Sequence, residues 1–179
     1  EVLICQTDET WVRRGVRVNK SAAHRKVAGQ VFLPSLGRCM ISPSAVMLHR
    51  RLLEDHGGFD ETLPAAEDYD LWLRLTWRYE VGLVDEPLVI KRGGHPDQLS
   101  RQWGIDRFRI RALVKLLAEP DLPAAYARAA RRTLAAKCAI YAQGCDKRGR
   151  QAEAAWYENL SRAAELTPGP ILMPLIRDP

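Results

Sequence analysis

The sequence predicts a mixed α/β region, expected over residues 1–100, followed by an all-α tail. Three observations lead there. In the first hundred residues, apolar runs of strand length, bounded by turn residues, alternate with one strongly periodic helix. Beyond residue 101 the chain changes to three segments of helical periodicity. Charge divides at the same place: residues 1–100 hold 13 Lys and Arg against 14 Asp and Glu, and the remainder hold 14 against 8, so the basic excess lies in the tail.

Val2 to Cys5 reads as a buried strand, and Thr10-Trp11-Val12 continues extended to a turn at Arg13-Arg14-Gly15. Val16-Arg17-Val18 alternates like a short return strand, which makes a hairpin or meander. Asn19 to Gln30 is polar, basic and aperiodic, and is expected to be a long surface loop. A short apolar patch surrounds Met40-Ile41 before Pro43, and Ala45 to Leu48 is a second strand. Arg50 to His56 is a short helix stopped by Gly57-Gly58. After a loop from Phe59 to Pro64, Glu67-Asp68 open a strong helix over Tyr69 to Tyr79. Its first-turn acids and its late arginines, Arg74 and Arg78, match the helix dipole.

Val81 to Val84 and Leu88 to Ile90 are expected as two strands joined through Asp85-Glu86-Pro87, and Gly93, Gly94 and Pro96 mark a loop to about Ser100. Trp103 to Ala118, Ala124 to Gln143 and Gln151 to Leu166 are the three helices of an extension over residues 101–167. Small residues and tyrosines on the last two give the look of a repeat-type hairpin, although one unit does not make an array. Residues 168–179, with Pro170 and Pro174, are expected to be a disordered or irregular tail.

A chain of 179 residues with 46% hydrophobic and 27% charged residues has globular composition, which excludes disorder and fibrous folds. No stretch approaches the ~18 unbroken apolar residues of a membrane span. The start carries neither an initiator methionine nor a leader-like segment, and the chain is expected to be cut from something longer. Four cysteines fall at no zinc or redox spacing. Cys138 and Cys145 stand two helical turns apart, beyond the roughly 7 Å between Cα atoms that a disulfide allows. Free thiols and a cytoplasmic location are therefore expected. The basic tail reads as a solvated helical face, with anionic lipid at the inner face of a membrane or an acidic partner as the alternative contacts. No nucleic-acid-binding motif is present, so no nucleic-acid partner is expected.

Chemistry concentrates in Gly58-Phe59-Asp60-Glu61 and in Glu67-Asp68-Tyr69-Asp70-Leu71-Trp72-Leu73-Arg74-Leu75. The loop must bring acids to the N-terminus of an amphipathic helix, where backbone N–H groups stabilise an ionised carboxylate. A carboxylate so held at a site entrance is what a general base needs. Helix capping is the commoner use of first-turn acids and accounts equally for Glu67 and Asp70. Asp60 is expected to order its loop. His24, His49 and His56 show no partner spacing and are assigned to structure or solvent.

In this order and spacing, Ile41-Ser42-Pro43-Ser44-Ala45-Val46, the Gly58 to Glu61 loop, the Glu67 to Arg74 helix start and Lys91-Arg92-Gly93-Gly94-His95 resemble the family-two glycosyltransferases of the GT-A fold. The resemblance covers about residues 1–118. It implies the C-terminal, acceptor-side part of a Rossmann-like nucleotide-sugar transferase domain. Such enzymes move a sugar from a nucleotide-sugar donor to an acceptor hydroxyl with inversion, and the acceptor here could be a glycan, a lipid-linked glycan or a protein.

By the same resemblance Asp68 is the base that deprotonates the acceptor and Glu67 is its neighbour. Tyr69 and Trp72 are candidates to wall the acceptor site, with Trp72 equally suited to the core. Arg92 and His95 are candidates to meet the diphosphate, and His95 to ligate a divalent cation, Mn²⁺ or Mg²⁺. His95 and Asp97 also suit a plain turn. The family's Asp-x-Asp motif is missing ahead of this segment, and Asp8-Glu9, expected just after the first strand, is a poor substitute. The donor-binding half is thus expected to be absent and the chain inactive alone. A non-catalytic helical interaction module, or a degenerate transferase scaffold, is the alternative.

Overall fold

Ile4 to Arg13 (β1) forms one strand rather than two pieces, and the remaining strands all pair with it. This computed structural model describes residues 1–94 and 103–166. The chain divides into two units, one of Glu1–Thr62 with Glu67–Trp103 and one of Leu63–Ala66 with Gly104–Pro179. A short segment from the middle of the α/β region thus belongs with the helices.

In the first unit, β2 (Val16–Val18) returns antiparallel on β1 in the register Trp11↔Val18. The connecting Arg14 and Gly15 have φ of 49° and 80°, the paired left-handed conformation of a tight hairpin turn. β3 (Val46–Leu48) pairs antiparallel with the start of β1, Ile4↔Leu48. β4 (Val81–Gly93) runs parallel to β1 from Ile4↔Val81 to Arg13↔Gly93. The sheet is therefore mixed.

The two strands expected on either side of Asp85-Glu86-Pro87 are this single strand. Pro87 has no N–H to give a ladder, and the register slips beside its partner Asp8 instead of breaking. The slip matters for the site. Along β1, Ile4 and Gln6 are buried at even positions, and after the irregularity around Asp8 the next buried residue is the odd-numbered Glu9.

A parallel pair needs a crossover, and here α1 (Phe32–Gly37), α2 (Arg50–His56) and α3 (Glu67–Thr76) lie on it. The sequence reading missed α1, which is short and holds Pro34; the Gln30 side chain accepts a hydrogen bond from Phe32 N–H at 3.0 Å to start it. His49 Nδ1 accepts from Arg51 N–H at the head of α2, and Gly57, at φ 76°, stops it. α3 is shorter than the expected run to Tyr79. Ile4, Val31, Ile41, Leu52, Leu71, Trp72, Leu75 and Val81 form the core, so α3 lies against the sheet with most of its residues buried.

The second unit contains α4 (Ile105–Leu117), α5 (Ala124–Asp146) and α6 (Gln151–Leu166). On α5 the buried residues Ala130, Leu134, Cys138, Tyr141 and Cys145 recur every three or four positions, the stripe of an amphipathic helix. Tyr157 of α6 meets Tyr141 edge-on with ring centroids 4.5 Å apart. Alanines on both helices let them approach closely enough for Ser161 Oγ to donate to the Ala135 carbonyl at 3.0 Å. Leu63 and Ala65 pack on Phe108 within this unit.

All four cysteines are free, as expected. A mixed α/β region followed by helices matches the coarse fold class read from the sequence. No described helix is long and apolar enough to cross a membrane. The tail over residues 168–179 lies outside the described residues.

Candidate functional site

Asp68 stands half-buried in the first turn of α3. The chain enters this helix through Ala66, whose φ of 61° is a strained conformation for a residue with a Cβ. One Asp68 oxygen, Oδ1, accepts the Tyr69 N–H at 2.7 Å. The other, Oδ2, lies 3.4 Å from the Cys39 thiol, which also reaches the Ile41 carbonyl at 3.1 Å. With a single proton, the thiol donates to one of them at a time. Burial pushes the Cys39 thiol up, and the Asp68 carboxylate beside it pushes it further. Cys39 is therefore a neutral donor toward Asp68 and not a nucleophile. Glu67 is half-buried in the same turn.

Two expected acceptor-site residues are elsewhere. Tyr69 is 1% exposed and donates its hydroxyl to the Leu36 carbonyl at 2.6 Å, fastening α1 to α3. Trp72, also 1% exposed, is in the core cluster. Neither walls an open site, because both rings are used to fill the space between α3 and its neighbours. Arg92 is exposed on β4, opposite Val12. His95, with Pro96, Asp97, Gln98 and Ser100, lies outside the described residues.

Asp70 is buried and pairs with Arg74, whose Nε approaches Asp70 Oδ2 at 2.9 Å. The same guanidinium donates to the carbonyls of His56 at 2.6 Å and Gly58 at 2.7 Å, so it ties the Gly57-Gly58 stop to α3. Asp70 thus acts as an anchor, with Asp60 ordering the adjoining loop by accepting from the backbone and hydroxyl of Thr62. His56 Nε2 meets the Tyr79 hydroxyl at 2.9 Å, a partner its sequence spacing did not suggest.

A second polar group, not expected as a unit from the sequence, lies on the sheet. Asp8 and Glu9 sit within β1 and not after it. Glu9 is 2% exposed. Its Oε2 accepts the Trp11 indole N–H at 2.9 Å, while Oε1 lies 4.0 Å from Lys26 Nζ. Lys26 comes from the stretch read as surface loop, yet it is 8% exposed and donates to the Met40 carbonyl at 3.2 Å and Ser42 Oγ at 3.1 Å. Lys91 of β4 donates to the same Ser42 oxygen at 3.2 Å, and its ammonium is 5.6 Å from the Trp11 ring centre.

Burial pushes the Glu9 carboxyl up, but Ser42, Trp11 and the two lysines outweigh it and hold the group below its ordinary range. Burial depresses Lys26; Glu9 counters it in part, and Lys91 adds to it. The segment from Cys39 to Ser42 joins the two groups, with Asp68 at one end and the lysines at the other. The sequence signal for the second group was a polar pair, Gln6 and Glu9, inside a strand that otherwise alternates.

Among the described residues no three His, Cys, Asp or Glu side chains come together as a metal site. These residues do not supply a cage for the divalent cation that the resemblance implies.

No protein-family model matches the chain, and no solved structure does. It is 31% identical over 131 residues to an uncharacterized protein of Mycobacterium tuberculosis (strain CDC 1551 / Oshkosh), a match covering 65% of this chain and 40% of that protein. The chain therefore spans about two-fifths of the length of the relative it matches.

Proposed function

We propose that the chain is the acceptor-side part of an inverting glycosyltransferase in which Asp68 is the general base. The observation that carries this reading is the position of Asp68: a half-buried carboxylate in the first turn of α3, oriented from one side by Tyr69 N–H and from the other by the Cys39 thiol. The mixed sheet with α3 packed across it is compatible with the C-terminal half of a GT-A domain.

In this mechanism the acceptor hydroxyl gives its proton to the Asp68 carboxylate as its oxygen bonds to the anomeric carbon. The bond from that carbon to the nucleotide diphosphate breaks on the opposite face, which inverts the centre. Asp68 needs a fixed orientation because the hydroxyl must approach from that side only. Its two hydrogen-bonding partners provide this. The donor, its diphosphate and any cation it needs would be held by other parts of the full-length protein.

Asp68→Asn in the full-length protein should cut transfer by about 10²–10⁴-fold while nucleotide-sugar binding persists. Transfer within threefold of wild type would remove Asp68 from the role of base.

One feature favours a second reading, a helical module that docks a partner. A groove of about 550 Å³ on α5 and α6 is lined by alanines, including Ala135 and Ala139, and by Arg128, Arg131 and Arg132. A full chain with Arg128→Glu and Arg132→Glu that keeps all of its associations would end that reading.

A further inference from the structure

We propose that Lys26, Lys91 and Ser42, beside Glu9 and Trp11, form a subsite for a phosphate ester. Resting on the transferase reading, we infer further that this phosphate is carried by the acceptor whose hydroxyl meets Asp68.

Two ammonium groups converge on one hydroxyl oxygen, at 3.1 Å and 3.2 Å, and Glu9 is the carboxylate that acts on both. Lys26 is buried, and buried charges are ordinarily held by close counter-ions. Its carboxylate partner is 4.0 Å away, and one oxygen of that carboxylate is taken by the Trp11 indole. Asp8 pairs with Lys20 and also acts on Lys26, so two carboxylates, Asp8 and Glu9, face the three ammonium groups of Lys20, Lys26 and Lys91. The site is therefore short of negative charge.

The surroundings add to the shortage. His24 packs against Trp11 with ring centres 5.0 Å apart. Burial lowers its proton affinity first, and Arg38, Lys91, Arg13 and Lys26 lower it further. Those four cations come from β1, the following loop, the end of α1 and β4, so the fold gathers them from separate segments. Among the described residues, and leaving Arg38 aside, Glu9 and Asp8 stand against Lys20, Lys26, Lys91 and Arg13. An excess of this size suits a dianion, which a phosphate monoester provides. The exposed Lys91 ammonium is the accessible donor, and the half-buried Trp11 ring is a flat apolar surface beside it for the body of the ligand.

Placement relative to Asp68 follows from the backbone. Cys39 contacts Asp68 and Ser42 accepts from both lysines. Three residues of extended chain span at most about 10 Å, within the size of a phosphorylated sugar. One ligand can present a hydroxyl to Asp68 and a phosphate to the lysines.

The test is calorimetric titration of the full chain with four probes: a hexose phosphate, the neutral hexose, inorganic phosphate and a nucleoside diphosphate. The hexose phosphate is expected to bind best, and Lys91→Gln and Lys26→Met should each weaken it about tenfold or more. Arg50→Gln, at an exposed position on α2, should leave it unchanged. Lys91 is exposed, so its variant keeps the test valid if Lys26→Met does not fold. Binding untouched by the Lys91 change, or weakened equally by Arg50→Gln, overturns the site. The acceptor assignment falls if the nucleoside diphosphate binds tightest, if inorganic phosphate matches the ester, or if the neutral hexose does. Asp68→Asn should retain the binding, so loss of the transferase reading and loss of the phosphate site are separate results.

Discussion

Replacing Arg74 with Met should be among the most damaging single changes in the first unit. The Arg74 guanidinium lies 2.9 Å from Asp70, a carboxylate that is 1% exposed, and it also serves the carbonyls of His56 and Gly58. Met keeps most of the volume and removes the charge. Removing one partner of a buried ion pair costs about 3–5 kcal/mol, because the remaining charge stays buried. That is a large share of the roughly 5–15 kcal/mol by which domains are stable.

With a urea m-value of about 2 kcal/mol/M, the midpoint of the first unit should fall by about 2 M. Urea unfolding followed at Trp72, which is in that unit's core, measures it. Pairing Arg74→Met with Asp70→Asn should recover about 1–3 kcal/mol of the summed single costs, since both act on one interaction. Amide exchange at Gly57 and Gly58 should quicken in Arg74→Met, because the His56 and Gly58 carbonyls lose the tie to α3. A loss below about 1 kcal/mol, or single costs that simply add, would refute the reasoning.

Other outcomes follow from the same geometry. Tyr141→Phe removes a 3.1 Å hydrogen bond to Glu153, a 6% exposed carboxylate, and should cost the helical unit about 1.5–3 kcal/mol in thermal unfolding. Glu9 is held below its ordinary value of 4.5, so its ionised form contributes stability fully present above that pH. The contribution is lost as pH falls through the lower folded value. Wild type should therefore exceed Glu9→Gln most at neutral pH, with the gap narrowing in acid in urea titrations. Cys138 is buried and its thiol pushed up to about 12, so in the native chain at about pH 8 it should resist alkylation until denaturant is added.

Periodicity made some elements readable to the residue. Gln151–Leu166 appears with the bounds read from its sequence, because small, apolar and charged residues recur with a helix's period and a glycine break precedes it. β4 was harder. Pro87 and two acids resemble a loop locally, and only pairing to β1 keeps the strand continuous through them. The short α1 owes its start to Gln30, a contact that no apolar pattern reports.

The same limit separates the two parts of the candidate site. First-turn acids before a periodic helix are a local signal that suits capping as well as catalysis, and the family resemblance is what singled out Asp68 among them. Lys26, Ser42 and Lys91 come from three segments that meet Glu9 only after the register slip turns its side chain inward. Tyr69 and Trp72 were candidates as aromatic neighbours of the base. The helix's rotation sends both into the core, the place already open to Trp72 but not expected for Tyr69, and no residue count settles that without the packing partners.

The most direct measurement is the anomeric configuration of the product formed by the full-length protein from a panel of nucleotide-sugars, read by proton NMR before mutarotation. The account predicts a single glycoside with configuration inverted relative to the donor, its formation dependent on Asp68. A product that retains the donor configuration would contradict a mechanism in which Asp68 deprotonates the acceptor for direct displacement. So would the absence of transfer from every donor.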